Sequence, residues 1–112
     1  MTIAFPHYRV ELTKLVKEDQ AEIRSHYQKL KSLHSQEEKE KLNNQLNIHC
    51  HARAVRMLKI LHDIKEPSIS NIGREGSEAI SVLALHSYLD EMKEVLAAYQ
   101  IAYERNPENI YK

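Results

Sequence analysis

The sequence is poor in the residues that interrupt helices and in the residue that forms disulfides. Its 112 residues include two glycines, three prolines and one cysteine, Cys50. So few helix breakers, together with abundant leucine, alanine, glutamate and lysine, favour long helices over strands. A lone cysteine forms no disulfide within the chain, which fits a reducing compartment such as the cytoplasm.

Net charge and long apolar runs are also missing. Sixteen basic residues balance sixteen acidic ones, so electrostatics give no support to a nucleic-acid partner. No stretch approaches the ~20 apolar residues of a membrane-spanning helix. The first residues, MTIAFPHYRVELTK, lack the leading positive charge and apolar core of a signal peptide. We therefore expect a cytoplasmic protein that binds neither nucleic acid nor membrane.

Apolar residues recur at helical spacing in two long segments, residues 7–34 and 36–65. The recurring positions are Leu12, Leu15, Val16, Ile23, Tyr27, Leu30 and Leu33 in the first segment, and Leu42, Leu46, Cys50, Met57, Ile60, Leu61 and Ile64 in the second. This spacing predicts one buried stripe on each helix. The pattern Ser35-x-x-Glu38 is a capping box that separates them. The expected fold is all-α, a single helical domain of residues 1–112 built as an antiparallel bundle around this helical hairpin.

The glycines mark the start of the second half. Glu66-Pro67 ends the second long helix, because the residue before proline is disfavoured in the α region. We predict a break within residues 66–74, an extended or turn-like connection, and a shorter helical pair from Gly76 onward. Gly73, Arg74 and Gly76 form a candidate ligand-binding segment, since free backbone N–H groups at a helix start receive anions. The alternative is a tight start of a helix with no ligand.

Three polar residues fall where apolar ones belong. Asp19, Arg53 and His86 each project onto the apolar stripe of a different helix, with His49 at the edge of the second stripe. In a bundle those stripes share one core, so we expect the three side chains to meet. Three interpretations remain open: a polar cluster that fixes helix register, a pocket for a small anion or peptide group at Arg53 and His49, or an acid–base pair of Asp19 and His86.

We predict no metal site and no cofactor. His49, Cys50 and His51 are consecutive on a helix, where successive side chains point ~100° apart and do not converge on one ion. Neither a nucleophile elbow nor a phosphate-binding loop occurs in the sequence.

Several short motifs follow one another in a recognisable order: Asp19-Gln20 with Arg24, then Lys65-Glu66-Pro67, then Ile72-Gly73-Arg74-Glu75-Gly76-Ser77-Glu78-Ala79, then Leu85-His86. In this order the chain resembles, over about residues 18–94, a bacterial family of small helical proteins classified as a domain of unknown function. That family's pattern has glycine in a Gly-x-Pro turn and glutamine before the histidine, whereas here Lys65 and Leu85 occupy these places.

The resemblance implies an all-helical bacterial protein with no established reaction. It also implies a missing segment, because the family's C-terminal Asp-Arg and Tyr-Gly-Thr-Gln have no counterpart here. The chain therefore resembles a C-terminally truncated fragment of such a protein.

The leading functional hypothesis is a non-enzymatic binding or protein-interaction module. We expect a homo-oligomer, or a complex with another protein, through the long helices and an exposed apolar surface around Ile101, Tyr103, Ile110 and Tyr111. The alternative is a small hydrolytic enzyme in which Asp19 and His86 form the acid–base pair and Arg53 holds an anion.

Overall fold

The computed structural model describes residues 2–87 and 89–110, and these form an all-α fold. The helices are α1 (Pro6–Ser32), α2 (Gln36–Ile64), α3 (Ile69–Leu85) and α4 (Leu89–Arg105), and a 3-10 turn follows at Pro107–Asn109. No strand occurs in the described part of the chain. The prediction of an all-α bundle is confirmed, and the long helices end within two residues of their expected bounds.

The helix ends follow from local chemistry. Pro6 occupies the first turn of α1, where its missing N–H has no intrahelical partner to lose. Ser35 caps α2 by accepting a hydrogen bond from the Glu38 N–H at 3.1 Å. After α2 the chain turns at Lys65, which has a positive φ of 69° and donates its N–H to the Leu61 carbonyl at 2.7 Å.

The start of α3 differs from the prediction, because helical backbone begins at Ile69 rather than Gly76. Ser68 caps this first turn by accepting from the Asn71 N–H at 3.3 Å. The Asn71 side chain donates to the Ile64 and Glu66 carbonyls at 3.2 and 3.0 Å. These bonds stabilise a helical turn where the sequence predicted an extended or turn-like connection. The regular helix then breaks at Gly73, where φ is 74° and ψ is 169°.

The hydrophobic core lies at one end of an elongated molecule that measures 51 × 24 × 22 Å. All four helices contribute to it, through Leu12 of α1, Met57, Ile60, Leu61 and Ile64 of α2, Ile72, Ala79, Ile80, Leu83 and Ala84 of α3, and Val95 of α4. None of these residues comes from the middle of the chain between Leu12 and Met57. The core therefore holds together only the beginning of α1 and the end of α2.

The remaining halves of α1 and α2 project beyond the core. We call residues 20–49 the distal hairpin, and the other described residues the body. His26 is the one residue of the distal hairpin that is buried. The apolar stripe predicted for α1 continues into this region, but Tyr27 is 62% exposed. The stripe is therefore present in the distal hairpin but only partly covered there.

The C-terminal part of the described chain is only partly as expected. Ile101 and Tyr103 are exposed, as the sequence predicts. Ile110 is buried instead, because the turn before it is held against the start of α3: Asn109 accepts from the Ser70 N–H at 2.9 Å and donates to the Ser70 hydroxyl at 2.8 Å. Tyr111 lies outside the described residues.

No helix in the described part of the chain combines the length and the apolar character needed to cross a membrane.

Candidate functional site

Asp19 is the centre of a polar cluster at the end of the core. It lies on the apolar stripe of α1 and its side chain is fully buried. Its Oδ1 accepts hydrogen bonds from Nε and Nη2 of Arg53, both at 2.9 Å. Its Oδ2 accepts from Nδ1 of His86. The structure therefore brings together the three polar residues, one each from α1 and α2 and the third from the C-terminal end of α3.

Glu22 and His49 extend this cluster toward solvent. Arg53 Nη2 lies 2.8 Å from Glu22 Oε1, and Nδ1 of His49 donates to the other oxygen of Glu22. Burial alone would raise the pKa of Glu22, but the hydrogen bonds from His49 and Arg53 outweigh it and lower that pKa. Burial likewise disfavours the charged Arg53, and its carboxylate partners more than compensate, so the pKa of Arg53 is raised. Both groups are therefore held in their charged forms.

Cys50 completes the buried side of the cluster. Its thiol lies 3.5 Å from Asp19 Oδ1 and 3.5 Å from Arg53 Nη2. Burial and the neighbouring Asp19 charge raise the pKa of Cys50. A thiol that stays protonated at neutral pH is a poor nucleophile, so this cysteine has the chemistry of a core residue.

Of Asp19, Arg53 and His86, His86 is the one most exposed to solvent. Its side chain is 36% exposed, and with Asn47, His51 and Ser87 it lines a pocket of about 140 Å³. Because Nδ1 is bound to the Asp19 carboxylate, Nε2 is the ring nitrogen left for other partners. A carboxylate that orients an imidazole in this way is the arrangement of an acid–base pair.

The predicted ligand segment lies far from this cluster. His86 follows Gly73 by thirteen positions along the chain, or about 20 Å along α3. A Cβ on Gly73 would lie 3.1 Å from both Ile3 and Arg9, and one on Gly76 would lie 2.8 Å from the Ile72 Cβ. Close packing and the backbone of Gly73 thus account for both glycines. Ligand binding by Gly73, exposed Arg74 and Gly76 stays a prediction.

Glu22 was not among the predicted site residues, and Cys50 was predicted only as part of the apolar face of α2. Glu22 is three residues from Asp19 and Cys50 is three residues from Arg53, so both share a helix face with a cluster member. That spacing was the available signal. Within the described residues, no group of three or more His, Cys, Asp or Glu side chains is placed to hold a metal ion.

The distal hairpin presents a second candidate site, a groove between its two helices that His26, Leu42 and Leu46 help to line. Ile23 and Leu30 of α1, and Leu42 and Leu46 of α2, are only half-buried. His26 is buried here, and its Nδ1 finds no hydrogen-bond partner among the residues that the structure describes. Such orphaned polar atoms are rare in complete interiors. The distal hairpin therefore has both apolar and polar groups that are not satisfied within the described chain.

Comparisons with family models, with curated proteins and with solved structures found no match to this chain. The resemblance to the bacterial domain of unknown function accordingly stays a prediction.

Proposed function

We propose that this protein is a non-enzymatic protein-interaction module and that the distal hairpin is its binding surface. One observation carries the proposal: the apolar stripes run the length of both long helices, yet the core covers only one half of them. A helix pair with an uncovered apolar face gains stability when a further helix packs onto it. The orphaned nitrogen of His26 adds support, because it lies in the same uncovered half.

The polar cluster fits this proposal as a structural element. Arg53 directs its donors to Asp19, Glu22 and Cys50, so an incoming anion would compete with two carboxylates. We assign the cluster the task of fixing the register of α1, α2 and α3 where the core ends. We further propose a cytoplasmic location, on the single buried thiol, and no nucleic-acid partner, on the balanced charge.

A site-specific photo-crosslinker tests the proposal in the cells that make the protein. Placed at Tyr27, it should form an adduct with a partner protein. The matched control is Ile48, which is also exposed. It lies two residues after Leu46 and therefore points to the opposite side of α2. Adducts at neither position, or equally at both, would overturn the proposal.

A second function, a small hydrolytic enzyme, is favoured by one specific observation: the His86 ring, held by buried Asp19, lines an open pocket. In that case purified protein should hydrolyse p-nitrophenyl esters or phosphates. His86→Asn should abolish this rate while the helical circular dichroism signal is retained. Activity that survives His86→Asn would exclude this function.

A further inference from the structure

The groove of the distal hairpin contains a cavity of about 180 Å³ between α1 and α2. Most of the side chains that line it are polar: Glu22, Ser25, His26 and Lys29 of α1, and Gln45 and His49 of α2. Two leucines of α2 line the rest. The polar groups of this cavity that have no partner within the chain indicate which chemistry it accepts.

Glu22 is the acidic residue of the cavity, and each of its oxygens already has a partner. Its Oε1 lies 2.8 Å from Nη2 of Arg53, and its Oε2 accepts from Nδ1 of His49. Glu38 lines a neighbouring part of the groove and not this cavity. The carboxylate of Glu22 is therefore engaged by the chain itself.

Lys29 is the cation of the cavity, and its ammonium has no ion-pair partner among the described residues. It follows Glu22 by seven positions, so the two residues share a face of α1. They are nevertheless about 10 Å apart along the helix. The cavity thus has one end where the charge is paired and another where a positive charge is free.

His26 lies between these ends and is only 7% exposed. Its Nδ1 is enclosed and has no hydrogen-bond partner within the described chain, so Nε2 is the ring nitrogen that a molecule in the cavity can reach. Buried N–H groups without an acceptor are rarer than buried acceptors without a donor. The neutral ring therefore carries its proton on Nε2. His26 and Lys29, three residues apart on one helix face, both offer donors to the cavity.

We propose that this cavity binds a carboxylate group, held by the ammonium of Lys29 and the Nε2–H of His26, with the amide of Gln45 as a further donor. The inference rests on the proposed function for the source of that group, an aspartate or glutamate side chain of the partner protein. The cavity is smaller than the ~300–1,000 Å³ of sites for drug-sized ligands, which fits a single side chain.

Two small probes of opposite charge test the chemistry without the partner. Propionate has the end group and chain length of a glutamate side chain, and propylammonium is its cationic counterpart. The ¹⁵N-labelled full chain is titrated with each at constant ionic strength and followed by NMR. We expect propionate to shift the resonances of residues 25–29 and of the Gln45 side-chain amide saturably, with a Kd of roughly millimolar order for so small a ligand. Propylammonium should produce no saturable shift.

Variants assign the binding to the proposed donors. Lys29→Gln and His26→Leu should each weaken propionate binding by about fivefold or more, because each removes a donor to a charged acceptor. The matched control is Lys31→Gln, at a position that is also exposed and in the last turn of α1. It lies two residues after Lys29, on the opposite side of the helix, and should bind propionate like wild type.

Circular dichroism checks that each variant is folded, and Lys29→Gln, at an exposed position, decides the outcome if His26→Leu is not. No saturable shift with propionate, an equal response to propylammonium, or equal losses in Lys29→Gln and Lys31→Gln would each overturn the inference.

A glutamate blocked at both its amino and carboxyl groups distinguishes the two sources of a carboxylate. Binding at least as tight as that of propionate supports a side chain of a partner protein. Binding of propionate alone would mean that a free carboxylate enters and a peptide-borne one does not, which overturns the assigned source.

The crosslinking experiment at Tyr27 separates this inference from the proposed function. An adduct that is lost in Lys29→Gln but not in Lys31→Gln supports both. An adduct that forms equally in both variants keeps the interaction function and removes the carboxylate from it. Propionate binding without any Tyr27-dependent adduct removes the interaction function and leaves the carboxylate site.

Discussion

Asp19 is a buried charged residue, and its partners explain why its burial is tolerated. A lone carboxylate in a protein interior is strongly unfavourable, and it persists only when charged or hydrogen-bonding partners surround it. Here both oxygens are bound by side chains from other helices, Arg53 and His86. The same contacts that make the charge tolerable also tie α1 to α2 and to α3.

Truncating Asp19 should therefore be costly. We expect Asp19→Ala to lower the free energy of unfolding by about 3–5 kcal/mol, because it leaves Arg53 buried without its main partner. Asp19→Asn should cost less, since it keeps hydrogen bonds while removing the charge. Urea unfolding followed by circular dichroism measures both.

The exposed neighbour Glu18 provides the control, and Glu18→Ala should change the free energy of unfolding by about 0.5 kcal/mol or less. A double-mutant cycle between Asp19→Ala and His86→Ala adds a direct test of contact. A coupling energy of zero would contradict the hydrogen bond between these residues.

Glu22 gives the cluster a pH dependence. Because hydrogen bonds from His49 and Arg53 hold the pKa of Glu22 below its usual value, the unfolded chain takes up this proton at higher pH than the folded chain. Glu22 thus contributes stability above its unfolded pKa, near 4.5, and loses it as the pH falls through the lower folded value. We expect Glu22→Gln to be destabilising by about 1 kcal/mol or less at pH 5.5, with the difference from wild type shrinking toward pH 3.

Urea unfolding at several pH values between these limits checks the sign. Glu18→Gln, at an exposed position with no bond to the cluster, should show no such trend. A difference between wild type and Glu22→Gln that grows as the pH falls would mean that Glu22 is not stabilised by its partners.

At the scale of elements, Gly73 is what allows α3 to begin as one turn and continue as a straight helix. Its φ of 74° with ψ of 169° belongs to a region that side-chain-bearing residues strongly avoid. Ile3 and Arg9 also leave little space for a Cβ. We expect Gly73→Ala to lower the free energy of unfolding by about 1–3 kcal/mol, measured by urea or thermal unfolding.

Glu78→Ala, at an exposed position of the same helix, is the comparison. It should be neutral or slightly stabilising, because alanine is the strongest helix former. Equal stability of Gly73→Ala and wild type would show that α3 can start without this backbone conformation.

The sequence was sufficient to predict the elements because their boundaries depend on local chemistry. Ser35 and Glu66-Pro67 act on neighbouring backbone atoms, so their effect is visible in the sequence alone. The start of α3 was missed because Asn71 reaches back to the Ile64 and Glu66 carbonyls. Those contacts exist only once the turn has formed.

The candidate sites were predictable to different degrees for the same reason. Asp19, Arg53 and His86 could be found because each interrupts an apolar stripe. Glu22 interrupts nothing, and only the position of Arg53 reveals its role. The uncovered state of the distal hairpin could not be predicted, since periodicity shows that a helix face is apolar and not what covers it.

At the scale of the whole molecule, we expect local stability to be higher in the body, which contains the core, than in the distal hairpin. Some amides exchange when the distal hairpin alone opens, and others exchange only on global unfolding. The free energy of opening is smaller for the first group. We therefore expect hydrogen exchange by mass spectrometry to be faster for residues 23–48 than for the parts of α1 and α2 that flank Leu12 and Met57. Measurements at nanomolar protein concentration keep the comparison free of self-association.

Raising the concentration should slow exchange in the distal hairpin selectively if a second copy binds there. The two halves of α1 and α2 are each other's control, because they belong to the same continuous helices. Uniform protection along both helices at low concentration would contradict the separation into a body and a distal hairpin.

The uninterrupted course of α1 and α2 has a mechanical consequence. With Asp19 holding three helices at the boundary of the body, the distal hairpin is a lever whose fulcrum is the polar cluster. An arm of about 20 Å turns a tilt of about 5° at the fulcrum into a displacement of nearly 2 Å at the tip. A small rearrangement of Arg53 or His86 around Asp19 would therefore produce a larger displacement at the loop around Ser35.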